Sequence, residues 1–245
     1  MAGNVAQIPN DAGAGAVGSA LMLKVFYVFA ALVLASLAIS AGGKWLGRSI
    51  AMAGHTDDRS LREILIGGNV ISAPANAIRF EHARRDGAAT RLDLYLRWPD
   101  LDGYSQQARD DFNHVNGARR IIFVSFEKQA MSRDMSGRLA PIYSRLIENP
   151  GVGGPDGTMV HAFTEQSGYV EEVLVVGNRS GEAPFVARCL TGPSAAQSLA
   201  PCQRDLAMGD RLSLSYRFPE ELLTHWRELD AAILARGSAM LGTGK

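Results

Sequence analysis

The sequence predicts an α+β protein, with an N-terminal transmembrane helix followed by one domain that has a mostly antiparallel sheet and a C-terminal packing helix. Three observations carry this. Residues 25–43, VFYVFAALVLASLAISAGG, run without a charge or a proline. Over 91–98, Leu92, Leu94, Leu96 and Trp98 alternate with Arg91, Asp93, Tyr95 and Arg97. That period of two marks a strand with one buried and one polar face, as antiparallel sheets have. Finally, Leu222, Trp226, Leu229 and Ile233 recur at helical spacing and form an apolar stripe suited to packing on a sheet.

Residues 1–20 are rich in Ala, Gly and Asn, almost uncharged, and without a periodic apolar face. A disordered tail is expected there. Gly13 to Gly18 matches the G-x-G-x-x-G pattern, but that fingerprint needs a strand before it and a soluble helix after it. A polar tail precedes this match and an apolar segment follows, so it is read as chance. The anchor is placed at 21–43, since about 20 apolar residues at about 1.5 Å each cross a hydrocarbon core of about 30 Å. A cleaved signal peptide is the alternative, and Ser40-Ala41-Gly42 offers a small-residue site. The apolar core exceeds the usual ~7–15 residues of such peptides and its leader is nearly uncharged, which favours an uncleaved anchor.

Residues 44–60 are read as a juxtamembrane linker, with Trp45 suited to the membrane interface. Thr56 to Ser60 is expected to open a short helix over Leu61–Ile66, ended by Gly67-Gly68. Extended chain resumes at Val70-Ile71, and Pro74 keeps it out of a sheet centre. The globular domain is assigned to 61–237 and a frayed tail to 238–245. Within the domain, strands are expected at 91–98, stopped by Pro99 to Gly103, and at Ile121–Phe126. A helix should start near Ser136 and include Ile142–Ile147, with Pro141 limiting its first turn. The Gly- and Pro-rich loop Asn149–Gly157 is expected to divide the domain into two halves. Further strands are read at Tyr169–Val176, Phe185–Leu190, Arg204–Ala207 and Leu212–Phe218. The last helix has Pro219 at its first position, Glu220 and Glu221 near its positive end, and Gly237 as its cap.

Formal net charge is zero, with 25 basic and 25 acidic residues, and the part beyond residue 50 is close to neutral. That balance argues against nucleic acid as the partner. Arginine greatly outnumbers lysine, which suits recognition of anionic groups but follows as readily from codon bias. The two cysteines, Cys189 and Cys202, form no C-x-x-C pair and lie beside a turn-rich stretch. A disulfide between them would close a short loop, contribute about 3 kcal/mol, and imply an oxidising compartment. Two unrelated buried thiols are the alternative. The charge count opposes a periplasmic domain: Lys24 and the terminal amine lie on the N-terminal side of the uncharged run 25–43, whereas Lys44, Arg48, Arg59 and Arg62 follow it. The cysteine pair is given more weight, so the expected location is the inner membrane, single-pass, with the C-terminal domain in the periplasm.

The chemistry is sparse. His55, His82, His114, His161 and His225 are scattered, and neither a P-loop nor a G-x-S-x-G elbow is present. No cofactor and no metal are expected, and no catalytic residue is assigned. Three polar clusters remain. Met131 to Arg138 follows a strand, and Arg133, Asp134 and Arg138 are candidates to hold an anion or ligand. Helix capping by Asp134 or Ser136 is the plainer alternative. His82 to Gly87 reads as a solvated hairpin tip. Asp110-Asp111 with His114 offers a carboxylate–imidazole pair on one helix face, or simply a surface helix.

Several strings together resemble an alphaproteobacterial family of membrane-anchored envelope proteins: Ile66 to Asn69, Pro74 to Phe80, Arg91 to Leu96, Met131 to Arg138, Pro184 to Cys189 and Leu212 to Phe218. The resemblance covers most of 55–235. It implies a single-pass envelope protein and carries over no catalytic residue. The expected function is a membrane-anchored periplasmic binding or assembly module of the cell envelope, with no identifiable catalytic activity. Its expected partners are inner-membrane lipid and an envelope protein or the cell wall, with no nucleic acid. The alternatives are an anchored envelope hydrolase using Ser132, Asp134 or a histidine brought in by folding, and a cytoplasm-facing domain of an inner-membrane complex.

Overall fold

The computed structural model describes residues 19–52, 54–117 and 119–242, with the backbone alone at 19, 20, 41–52 and 116. Most of the expected N-terminal tail, the G-x-G-x-x-G match and residues 243–245 lie outside the described residues. The chain divides into two compact units, the first ending at Ala53 and the second beginning at Gly54.

The first unit is helix α1, Ser19–Met52, of 34 residues, about 50 Å at the usual rise. Its stretch Leu21–Ser40 has a mean hydropathy of 2.3 and is long and apolar enough to cross a membrane. Large apolar side chains such as Phe26, Leu34 and Ile39 stand exposed all round it, the pattern of a helix made for an apolar solvent. The helix does not stop at Gly43. No proline lies between Gly43 and Pro74, and residues 44–52 of the expected linker stay helical.

The second unit is α+β. Strands β1 (Leu61–Ile66), β2 (Asn69–Pro74) and β3 (Gly87–Ala88) form a small sheet of order β2-β1-β3, with β3 parallel to β1. The main sheet has eight strands: β4 (Arg91–Arg97), β5 (Ile121–Lys128), β6 (Val152–Gly153), β7 (Thr158–Ala162), β8 (Glu172–Gly177), β9 (Phe185–Leu190), β10 (Cys202–Met208) and β11 (Leu212–Phe218). Its order is β4-β5-β11-β10-β9-β8-β7-β6, antiparallel throughout. Short helices α2 (Arg109–Phe112), α3 (Met135–Arg138) and α4 (Gly192–Gln197) lie in connections, and α5 (Trp226–Met240) ends the domain.

One face of the main sheet makes the core. Leu92, Leu94 and Leu96 of β4, Ile122, Val124 and Phe126 of β5, and Leu212, Leu214, Tyr216 and Phe218 of β11 are all buried. They share one apolar cluster with Ile64, Ile66 and Ile71 of the small sheet and with Leu222, Trp226, Leu229 and Ile233, the stripe legible in the sequence. Gly237 is not a cap. It lies inside α5, where a Cβ would stand 2.5 Å from Leu214 Cδ1, so its bareness lets the helix sit close on the sheet. The helix therefore continues to Met240, which is buried, and Leu241 bridges to Ile71 where a frayed tail was expected.

Other expectations are corrected. Leu61–Ile66 is a strand, because Ile64 and Ile66 turn inward while Leu61, Glu63 and Leu65 face out, a period of two. Gly67-Gly68 is its two-residue hairpin turn, and Gly67 supplies the positive φ, +63°, that the first central position requires. The helix expected from Ser136 breaks at Pro141, leaving α3 and a 3₁₀ turn at Tyr143–Arg145. Asn149–Gly157 contains β6 and does not halve the domain, because β11 inserts between β5 and β10 and makes one continuous sheet. Strand β8 begins at Glu172, not Tyr169. His82 to Gly87 is a 3₁₀ turn running into β3 beside β1, not a hairpin tip. Tyr95 is buried at 3% exposure, so the outer face of β4 is not polar along its whole length.

Candidate functional site

The second face of the main sheet is covered over β8 and β9 by a separate apolar cluster of Met135, Tyr143, Phe163, Leu174 and Val186, but it is largely polar over β4, β5, β11 and β10, and the registers line its side chains into rows across those strands. Arg91 of β4 stands opposite Glu127 of β5, which stands opposite Ser213 of β11 and then Ala207 of β10. The next row is Asp93, Ser125, Ser215 and Asp205. A third is Tyr95, Phe123, Arg217, Gln203 and, on β9, Arg188. Directly opposed side chains are about 4.5–5.5 Å apart at Cβ, so the rows are contact networks.

The rows floor a groove of about 530 Å³, lined by Arg79, Arg91, Phe123, Ser125, Gln203 and Arg217 among others. Arg91 organises its acidic end. Its Nε donates to Asp93 at 2.8 Å, its Nη1 to Glu127 at 3.2 Å and its Nη2 to Ser125 Oγ at 2.7 Å, while Ser125 Oγ donates to Asp93 at 2.7 Å. Arg217 holds one wall, residues 197–200, by donating from Nε to the Ala200 carbonyl at 3.2 Å. Arg79 is exposed and stacks its guanidinium over the rings of Phe80 and Phe123 at 5.1 and 4.9 Å. Among the described residues neither Arg79 nor Arg217 has a carboxylate within ion-pair distance.

The Cys189 and Cys202 sulfurs lie at disulfide distance, on directly opposed residues of β9 and β10. The crosslink sits at the base of residues 190–201, of which residues 197–200 are the groove wall. Beyond Gln203 and Arg188 the two strands stop pairing. Arg204 fills that opening from the inward register of β10. It is 2% exposed, donating to the Val186 carbonyl, to Ser136 Oγ of α3 and, from Nε at 2.8 Å, to Asp230 of α5. Asp230 also accepts from Tyr216 Oη and Arg179, both at 2.6 Å. Burial alone would raise the Asp230 carboxyl, but the Arg204 charge and these hydrogen bonds hold it below its ordinary value. Burial, reinforced by the Asp230 charge, pushes the Tyr216 hydroxyl well up.

The Met131 to Arg138 cluster is docked on this opening. Asp134 caps α3 by accepting from Gly137 N at 2.9 Å, and Arg138 donates to Asp205 at 2.7 Å, which also accepts from Met135 N. Burial raises the Asp205 carboxyl against the pull of Arg138. Asp134 and Arg138 are thus engaged with Gly137 N and Asp205, while Arg133 and Ser132 are exposed. The histidines lie elsewhere. His55 stacks on Tyr104 at 4.5 Å, within hydrogen-bond distance of Tyr95 Oη, and its pKa is lowered by burial and by the nearby Arg84 and His114. His82 stacks on Phe80, His161 reaches the Glu148 carbonyl, and His225 lies by Glu228. Helix α2 ends at Phe112 and His114 adopts φ +53°, so Asp110, Asp111 and His114 do not share one helix face; Asp111 lies by Arg97. No metal-ligating group of three or more His, Cys, Asp or Glu is found among the described residues.

The sequence reading missed Arg79, Arg91, Asp93, Phe123, Ser125, Glu127, Gln203 and Arg217 as a set. Their signal was present in the outward positions of β4, β5, β10 and β11, but each strand alone reads as ordinary solvent-facing polarity. Only the strand order makes them neighbours.

No protein-family model matches the chain, and comparison with characterised proteins finds no match in sequence. Two solved structures are distantly similar. One is an immunity protein of the Stenotrophomonas maltophilia type IV secretion system, 14% identical, with a TM-score of 0.44 over 73% of this chain and 93% of that one. The other is the iron-regulated outer membrane lipoprotein FrpD of Neisseria meningitidis, 9% identical, with a TM-score of 0.41 over 75% of this chain and 95% of that one.

Proposed function

We propose that the protein is a membrane-anchored binding module of the cell envelope, with its domain in the periplasm and the polar face of the main sheet as its binding surface. The observation that carries this is the groove. It sets ordered donors and acceptors from four strands on an open face, on the opposite side of the sheet from the apolar core. The apolar helix α1 supports a membrane location, and the cysteine pair at disulfide distance supports an oxidising compartment. The hydrolase alternative gains nothing from the geometry, since Asp134 is a cap and Ser132 is exposed. Asp93 and Glu127 form a carboxylate pair in the groove, but both accept from Arg91, which occupies them as ion-pair partners.

The test is photo-crosslinking in intact cells from a reactive residue placed at Gln203 or Ser215, with Glu165, exposed on a distant turn, as control. Adducts from the face positions and none from Glu165 are expected. Adducts only from Glu165, or none from any position, would overturn the reading. Thiol blocking of membranes without reductant tests the compartment: Cys189 and Cys202 should resist alkylation, and ready alkylation of both would move the domain to the cytoplasm.

A further inference from the structure

Resting on that reading, we propose that the groove binds the cell wall itself, a glycan strand whose attached stem peptides bear carboxylates. The first step concerns how a polymer can approach a sheet. A peptide adds to a sheet edge, where unpaired backbone groups form a ladder. Here the edges are closed or short. The outer edge of β4 is met by Ile78, which bridges to Leu94, and Arg79 N donates to the Asp93 carbonyl. At the other end β6 has two residues. In the small sheet β3 also has two, and β2 is met by Leu241 and Gly242, whose N donates to the Val70 carbonyl. A ligand is therefore left with the face, and on a face every polar group comes from a side chain.

Those side chains offer donors and acceptors in alternation. Asp93 and Glu127 accept, Arg91 and Arg217 donate, and Ser125, Ser215 and Gln203 do either. A chain of hydroxyls, each both donor and acceptor, matches such a surface over several residues. Phe123 and the exposed Leu199 at the wall supply apolar area for the C–H faces of sugar rings. Charge then selects among glycans. Arg91 is more than balanced by its two carboxylates, but Arg79 and Arg217 flank the groove without one and leave it with a net charge of +1. Guanidinium forks bind carboxylates in pairs of hydrogen bonds, so a ligand with carboxylates spaced along a hydroxyl-rich backbone satisfies both. A cell-wall strand, whose alternate sugars carry stem peptides with free carboxylates, has that chemistry.

The experiment is co-sedimentation of the full-length protein, in detergent, with purified protein-free sacculi. The protein should pellet with them, and soluble polygalacturonate should compete while neutral dextran should not. Arg79→Ala and Arg217→Ala should each weaken binding by about tenfold or more, the effect of losing one charge-assisted hydrogen-bond partner. Arg145→Ala, at an exposed 3₁₀ turn away from the groove, should bind as the parent does. A melting temperature matching the parent confirms that each variant is folded. No pelleting, competition by dextran equal to that by polygalacturonate, or binding insensitive to both groove arginines would overturn the inference. If Gln203 crosslinks a protein while sacculi fail to bind, the glycan falls and the binding module stands. If neither occurs, both fall.

Discussion

Arg204 and Asp230, each 2% exposed, are the costliest residues in the fold to leave unpaired. Their bond ties α5 to β10, and Tyr216 and Ser136 extend it to β11 and α3. Asp230→Asn strands two arginines around a neutral amide, which typically costs about 3–5 kcal/mol for a buried pair. Urea denaturation should show that loss, and a variant within about 1 kcal/mol of the parent would mean that the network is dispensable. The same carboxyl sets a pH dependence. Held below its ordinary value in the fold, Asp230 adds stability above about pH 4 and loses it as pH falls through its depressed value. Asp205 carries the opposite sign: burial raises it, so its ionised form costs stability and acidification removes that cost. Melting curves between pH 7 and pH 3 should fall at the acid end for the parent and fall less for Asp230→Asn. The sequence held one clue to the pair, a charge on the inward register of β10 between Cys202 and Leu206. Its partner lies 26 residues away, which no local pattern reveals.

At the scale of elements, the legible parts were those with an uninterrupted period. The stripe of α5 and the inward alternation of β4 were read correctly because one face of each meets the core. Segment 61–66 was misread because Leu61 and Leu65 are apolar yet exposed, which blurs a period of two into something helix-like. Gly237 was misread for a related reason. A glycine near a helix end usually serves the backbone, whereas here it serves packing against Leu214. The two roles predict opposite outcomes for Gly237→Ala than propensity alone does. Alanine is the better helix former by about 1 kcal/mol, but its methyl would meet Leu214 and Met208 at 2.5–3.2 Å. Overpacking of that kind costs about 1–3 kcal/mol, so the variant should melt lower than the parent. A higher melting temperature would show that α5 does not lie that close to the sheet. The β9–β10 crosslink belongs to this scale as well, because it closes a loop 13 residues long beside a strand pair that stays in register for only two residue pairs. Reduction should lower stability by about 3 kcal/mol, and it should loosen the groove wall at 197–200 before it affects the core.

For the molecule as a whole, what matters is where β11 goes. A reading along the chain places a divide at Asn149–Gly157, because nothing local says that the last strand returns to the first ones. The sheet order puts β11 between β5 and β10, so residues from both sides of that loop share one core and neither side can bury its apolar face alone. The groove has the same origin, with Arg91 and Ser125 from one side of the loop meeting Gln203 and Arg217 from the other. Two expectations follow for truncated chains. Residues 54–245, which form their own compact unit, should fold without helix α1 and unfold in one cooperative transition when the cysteine pair is oxidised. A fragment ending at residue 150 keeps β4 and β5 but loses the β11 partner of β5, and should show no cooperative transition and no slowly exchanging amides in Ile121–Lys128. Protection of those amides in the fragment would mean that the two halves are separate folding units, and the groove would then be a seam between them and not the face of one sheet.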